Sequence, residues 1–295
     1  MRYTSYLFLF LMAVLSSCET VIEIDIPDQE TKLTFNGFIN QADTLNIFRL
    51  TKSKSVVEGA SGAFEPVVDG EIVLFENEVA VETLHQEIIY QEGDYKSRFS
   101  FHSGNTYKIS ANGAGLASVT ATTVCPGAVP PVITAFNPEA YTDDYGNKLG
   151  ELKFIINDPE LSENYYELQL TTVQSGLQNG LIYFNATDPA LNIQQPFNIG
   201  GGFSGVAHTL FDDKLFNGES RSFTLVIASY MMNTEDGIVV KLSSTDRSFF
   251  LYTQSLMLQQ QSEGNPFAEP APVFNNIEYG YGILGSMVIA RDTIY

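Results

Sequence analysis

The chain has 295 residues, 35 Asp and Glu against 15 Lys and Arg, and a formal net charge of −20. So acidic a surface argues against nucleic acid and against docking on anionic lipid, since both need clustered Lys and Arg. With two cysteines the fold cannot rest on disulfides, and it needs an apolar core, to which 44% hydrophobic residues contribute.

The N-terminus carries the clearest signal. Arg2 supplies a short positive region, and Tyr6 to Leu15 is an apolar run. That run is too short to span the membrane, which takes about 20 residues, but it suits a secretory signal peptide. It ends in Leu15-Ser16-Ser17-Cys18, which resembles the bacterial lipobox: a Leu, two small residues and the cysteine that is lipidated. Residues 1–17 are therefore expected to be a lipoprotein signal peptide and Cys18 the lipidated N-terminus. Each acyl CH₂ contributes about 0.8 kcal/mol, so several chains make a lasting anchor. Residues 18–32 are acidic and contain a proline, and they read as a tether whose alternating Val21 to Ile26 part can add a strand.

Residues 33–125 predict an Ig-like β-sandwich. Leu33 to Ile39 and Leu45 to Leu50 are apolar at alternate positions, and Asp69-Gly70 is a turn before Glu71 to Glu76. Strands are also expected around Arg98 to Phe101, over Thr106 to Ser110, and from Ser118 to Val124. The polar, Gly/Ser-containing stretch from Lys52 to Pro66 predicts an exposed loop. Strands about ten residues apart with Gly, Asn or Asp between them are the pattern of a sandwich. Three prolines at 126–131 stop a sheet and predict a joint.

Residues 132–295 predict a larger β-rich domain with one helix. Strands are expected over Val132 to Phe136, Glu151 to Asn157, Tyr165 to Val173, Ser222 to Tyr230, Gly237 to Ser243 and Ser286 to Ile289. Phe249, Phe250, Tyr252, Leu256 and Met257 repeat at helical spacing, with Ser244 to Asp246 as N-cap and Gly264 as C-cap. The Gly-rich stretch 176–217 and the tail 274–285 are the expected functional loops. The fold class expected is mainly β.

The search for chemistry returns no catalytic set. His85, His102 and His208 are scattered, without HExxH or CxxC spacing, so no zinc site or other metal is expected. Asp143 to Asn147 lacks the alternating ligands of a calcium loop and reads as a hairpin turn. Asp158-Pro159-Glu160 and Asp212-Asp213 could hold calcium at a domain edge, but their ordinary reading is solvated turn carboxylates. Cys125 has no nearby His to activate it, and no GxSxG elbow occurs. The GGGFSG stretch at 200–205 lacks the Lys of a phosphate loop. Loop aromatics (Tyr183, Phe184, Phe197, Phe203, Phe274, Tyr279, Tyr281) suit stacking on sugars or filling a pocket, although the absence of Trp weakens a sugar platform.

The tail Gly264-Asn265-Pro266-Phe267 through Asn275-Asn276-Ile277-Glu278, then Gly280-Tyr281-Gly282-Ile283-Leu284-Gly285, resembles the closing block of a Bacteroidota lipoprotein family known as domain-of-unknown-function family 4249. The lipobox Cys18, the acidic EIDIP segment, KLTFNGFIN, NDPELSENYYEL and DDKLFNGES fit the same family in order along the chain. The resemblance implies an outer-membrane lipoprotein, often encoded beside TonB-dependent receptors, and carries over no catalytic residue. The expectation is a non-enzymatic, lipid-anchored protein of the outer membrane facing the cell exterior. It would serve as accessory or ligand-capture partner of a TonB-dependent transporter, with no cofactor and no nucleic-acid partner. Its ligand, be it small molecule, glycan or peptide, and the residues that bind it are left open by the sequence. The alternatives are an envelope hydrolase using acidic residues of the C-terminal domain, or a structural or adhesive envelope protein.

Overall fold

In Leu33–Asn40 (β1) the alternate residues Leu33, Phe35 and Ile39 are fully buried, as the apolar pattern of a half-covered strand demands. The computed structural model describes residues 29–55, 63–160, 162–173, 180–191, 193, 197–198, 203–228, 237–262 and 271–295. The signal run, Cys18, most of the tether and Gly264 lie outside them. By its internal contacts the chain divides into Met1–Glu30 with Lys54–Gly62, almost wholly outside those residues, and Thr31–Ser53 with Ala63–Tyr295. Every described strand and helix belongs to the second unit.

The described residues are mostly β, with one α-helix. After β1 come β2 (Asn46–Lys52), β3 (Glu71–Glu76), β4 (Val79–His85), β5 (Asp94–Ser97), β6 (Thr106–Asn112) and β7 (Val119–Val124). Then follow β8 (Val132–Thr142), β9 (Lys148–Asn157), β10 (Tyr165–Thr172), β11 (Phe184–Asn185), β12 (Phe197–Asn198), β13 (Ser204–Gly205) and β14 (His208–Asp212). The chain closes with β15 (Ser220–Ile227), β16 (Ile238–Thr245), the helix α1 (Arg247–Ser262) and β17 (Tyr281–Ile294).

One strand organises the rest. Tyr281–Met287 of β17 pairs in parallel with β1, and Met287–Ile294 pairs antiparallel with β16. The sheet β14-β10-β16-β17-β1-β2-β5 is thus two four-stranded halves that share β17. The half β17-β1-β2-β5 faces β4-β3-β6-β7 across a core of Phe35, Phe48, Leu74, Tyr95, Tyr107 and Ile109, among others. The half β14-β10-β16-β17 faces β11-β15-β9-β8 across Phe154, Tyr166, Leu168, Phe211, Phe223 and Val240, among others. Each fully buried Phe or Leu contributes about 1.5–3 kcal/mol.

The register places both cores on one face of the long sheet. Leu284 lies beside Gly37 of β1, and further along the same side of β17, Ala290 and Asp292 lie beside Leu242 and Val240. The helix covers the opposite face. Phe249 packs edge-on to Phe38 at 5.1 Å and Phe250 lies 4.9 Å from Tyr165. Asp246 is its N-cap, accepting from the Phe249 amide at 2.9 Å.

The core of the first sandwich draws on 33–125 together with Ile277 and Leu284, and that of the second on 129–294. The cores therefore part near the expected joint, while the sheet runs on past it through β17. Three local expectations need correction. The strand expected around Arg98 to Phe101 is irregular, because Phe99 and Phe101 turn inward to pack edge-on with each other and with Tyr107. β4 went unpredicted because it is largely exposed and follows a two-residue turn, Asn77-Glu78, with φ of 47° and 69°. That turn has the positive φ of a hairpin without its usual Asn-Gly signature. The final strand begins at Tyr281 rather than Ser286, despite Gly282 and Gly285.

Candidate functional site

Strand β15 sends Phe223, Leu225 and Ile227 into the second core, which leaves Thr224 and Val226 on the outer face of its sheet. Asn185 of β11 pairs with Val226, and Glu151 of β9 pairs with it on the other side. Above this floor lie Phe203 and Ser204. The Asn185 side-chain amide donates to the Ser204 carbonyl at 2.9 Å, and Phe184 and Val206 exchange backbone hydrogen bonds, so the cover is tied to the sheet at two points. Between them is a cleft of about 620 Å³ lined by Tyr141, Asn185, Ala186, Thr187, Phe203, Ser204, Thr224 and Val226.

Beside the cleft, three side chains form a hydrogen-bonded row. The Tyr141 hydroxyl donates to Glu151, and Lys153 Nζ lies 2.8 Å from Glu151 Oε1. The bonds from Lys153 and Tyr141 hold the Glu151 carboxyl below its ordinary range, while Glu151 pushes the Tyr141 phenol and the Lys153 ammonium up. Glu151 and Lys153 therefore stay charged and satisfy each other. The segment after the cleft is pinned by Arg221, which reaches Asp188 through Nε and Nη2. Burial pushes the Asp188 carboxyl up, but the bonds from Arg221 and the Ala190 amide outweigh it and hold it low.

Of the expected functional loops, 176–217 supplies Asn185, Ala186, Thr187, Phe203 and Ser204 to this cleft. Phe184 is instead a fully buried core residue. In the tail, Tyr279 is 75% exposed with φ of 64°, and Tyr281 lies under Lys32 Nζ, 5.6 Å from its ring centre. Tyr141, Thr224 and Val226 were not singled out in the sequence. Their signal was available only as the outward positions of strands whose alternate residues are core.

The remaining sequence candidates resolve into structure. Asp143 accepts from the amides of Tyr145 and Asn147 and closes the β8–β9 hairpin. His102 contacts Glu76 and His208 contacts Glu167; among the described residues no group of three or more His, Cys, Asp or Glu is placed to hold a metal ion. Cys125 is buried, and burial pushes its thiol up to about 12, so it is a packing residue rather than a nucleophile. Asp158 and Asp213, expected to be solvated, are both buried. Among the described residues no helix is long and apolar enough to cross a membrane.

A family model described as "Domain of unknown function (DUF4249)" matches residues 19–293. The chain belongs to that family. No curated protein matches the sequence. Among solved structures, a Salmonella alpha-2-macroglobulin is similar at 11% identity and TM-score 0.27, covering 77% of this chain and 14% of its own. A Parabacteroides merdae beta-glucuronidase is similar at 11% identity and TM-score 0.21, covering 73% and 23%. A biofilm-associated protein domain, BSP, is similar at 8% identity and TM-score 0.20, covering 93% and 62%. The chain spans less than two thirds of each of these.

In this DUF4249 protein, the two mid-chain blocks that carry the resemblance fold onto each other. Asp158 accepts from the Tyr166 hydroxyl and from the Gly218 amide at 2.9 Å, and its own amide donates to the Glu219 carbonyl. Asp213 accepts from the Asn164 backbone and side-chain amides, and its amide donates to the Asn164 carbonyl. Burial, with Asp158 nearby, pushes the Asp213 carboxyl up despite the bonds from Asn164. These acids satisfy orphan backbone groups at one end of the second sandwich. The closing block does the same for β17. Asn276 donates to the Leu284 carbonyl at 2.8 Å and accepts from its amide at 2.9 Å, and Asp246 accepts from the amide of Ser286, two residues on.

Proposed function

We propose that this DUF4249 protein is a non-enzymatic, lipid-anchored binding module of the outer membrane. It captures a ligand in the cleft on the outer face of the second sandwich and serves a TonB-dependent transporter. The observation that carries the reading is the cleft itself. It sits on a rigid sheet, is walled by aromatic and small polar side chains, and has ordered charge beside it but none pointing into a reactive arrangement. Rigid β scaffolds present ligands in such places. Support for the anchor comes from the apolar run Tyr6 to Leu15 followed by Leu15-Ser16-Ser17-Cys18. The transporter, the bacterial group and the outward orientation rest on the family resemblance.

The test is affinity purification of the tagged full chain from detergent-solubilised outer membranes, beside a Cys18→Ala variant. The expected result is recovery of a large β-barrel transporter with the wild type, and release of the variant from the membrane fraction. A Cys18→Ala variant that stays membrane-bound overturns the anchor. Recovery of no partner, together with turnover of a glycan or peptide by the purified chain, overturns the capture role in favour of an envelope hydrolase.

A further inference from the structure

We infer that the cleft takes an uncharged, polyhydroxylated ligand, a short neutral oligosaccharide, with Tyr141 as its stacking surface. This rests on the capture reading above and narrows it to a ligand class. The first argument is charge. Of the eight described residues that line it, none carries a carboxylate, ammonium, guanidinium or imidazole. An ionic ligand would surrender hydration against these residues with no opposite charge among them to meet it. The neighbouring Glu151 and Lys153 are engaged with each other and with Tyr141. In a chain of net charge −20, a lining whose described residues are all uncharged is a selective feature.

The second argument is hydrogen bonding. The hydroxyls of Thr187, Ser204 and Thr224 make no hydrogen bond to another described residue. A hydroxyl both donates and accepts, so three of them around one space match a ligand whose polar groups are themselves hydroxyls. An extended peptide would instead seek a free backbone edge. β11 offers none, because it pairs with β15 on one side and with Val206 on the other; β8, the other edge strand of this sheet, is the place left for such pairing, and a peptide probe tests it.

The third argument is the aromatic wall. Tyr141 is 44% exposed and its hydroxyl is held by Glu151, so its ring is fixed in orientation at the mouth of the cleft. Aromatic faces carry negative charge density, which attracts the weakly positive C–H face of a sugar ring. The chain has no Trp, and Tyr141 takes the part that the wider ring plays elsewhere. A cleft of 620 Å³ lies within the range of about 300–1,000 Å³ usual for small-molecule sites.

The experiment is calorimetric titration of the full chain in detergent with five probes. Maltotriose, cellotriose and triacetylchitotriose are neutral saccharides, trigalacturonate is a charged one, and trialanine is a peptide. At least one neutral trisaccharide is expected to bind saturably. Tyr141→Ala should weaken it about tenfold or more, and Tyr141→Phe, which keeps the ring, should weaken it no more than about threefold. Unchanged thermal unfolding of both variants controls for folding. Tyr141-dependent binding of trigalacturonate or trialanine, as tight as any neutral probe or tighter, overturns the saccharide inference and leaves capture in the cleft standing. No Tyr141-dependent binding by any of the five overturns the cleft as a capture site as well.

Discussion

The first sandwich turns its polar groups inward to tie its own loops, whereas the second leaves hydroxyls open in a cleft. In the first, the buried Asp94 accepts from Arg49 at 2.8 Å and from the amides of Tyr90 and Gln91. Burial pushes its carboxyl up, and those bonds outweigh burial and hold it below the ordinary range. The Tyr95 hydroxyl, at the bottom of the same core, accepts from the Gly70 amide and donates to the Val67 carbonyl. In the second, the buried polar knot of Asp158, Tyr166, Asp213 and Asn164 sits at one end of the sandwich, and the outer face of the sheet carries the cleft. The contrast separates polar groups that specify the fold from those that the proposed ligand would meet.

The two sandwiches also differ in how they acquire their last strand. The second is completed by an antiparallel neighbour, β16 to β17. The first is completed by a parallel strand from the far end of the sequence. Parallel pairing with so long a connection closes late and cannot be made by residues 33–125 alone. A chain that ends at Cys125 is therefore expected to give no cooperative unfolding transition, since β1 loses one of its two neighbours and Ile277 and Leu284 leave the core. A sharp transition by circular dichroism for that fragment would break the comparison. Within the full chain the same seam is most exposed at Gly282. A Cβ there would lie 1.9 Å from the Phe35 carbonyl oxygen, at φ of +115°. Gly282→Val is expected to cost more than about 3 kcal/mol in urea unfolding. A cost below about 1 kcal/mol would mean that the parallel pair is not what holds the strand.

A smaller effect is expected one step away, at Asn276. Its side chain satisfies both the amide and the carbonyl of the fully buried Leu284, on the edge of β17 that β16 does not reach. Asn276→Ala strands both backbone groups. The expected cost is about 2 kcal/mol, taking the lower limit of about 1 kcal/mol for each unsatisfied buried group. Asn275→Ala, whose partners lie within five residues, is the control and should cost less.

How much of this was legible in the sequence depends on the range of the interaction. Alternation at Leu33, Phe35 and Ile39 and at Phe223, Leu225 and Ile227 follows from burial of one strand face. The helix followed from aromatic spacing and its Asp246 cap. The start of β17 did not follow, because Gly280, Gly282 and Gly285 read locally as turn residues. They are glycines because the strand passes close to β1 and Phe249, and that proximity exists only in the fold. Asp158 and Asp213 read as solvated for the same reason, since their partners lie 60 and 49 residues away. The cleft was half legible. Its loop could be named from composition, but Tyr141 and Thr224 are set against it only by sheet register.

The smallest expected effect lies on the helix-covered face of the second sandwich, where no pair among the described residues is buried as Arg49–Asp94 is. His208 Nδ1 lies 3.0 Å from Glu167 Oε1, with the His side chain 37% exposed. The hydrogen bond that the ring donates to the Glu167 carboxylate raises the imidazole above its ordinary 6.5, against a smaller opposing effect of burial. The folded state therefore holds this proton more tightly than the unfolded chain does. The stabilisation is fully present below pH 6.5 and is lost as the pH rises through the raised folded value. Because the pair is partly in solvent, its worth is below about 1 kcal/mol and falls with added salt. His208→Gln keeps a hydrogen-bonding side chain and removes the charge. Thermal unfolding of wild type and variant should differ below pH 6.5, with the wild type more stable by about 2 °C or less, and should converge at alkaline pH. A difference that widens as the pH rises would show that the neutral imidazole, and not the ion pair, is the form that the second sandwich stabilises.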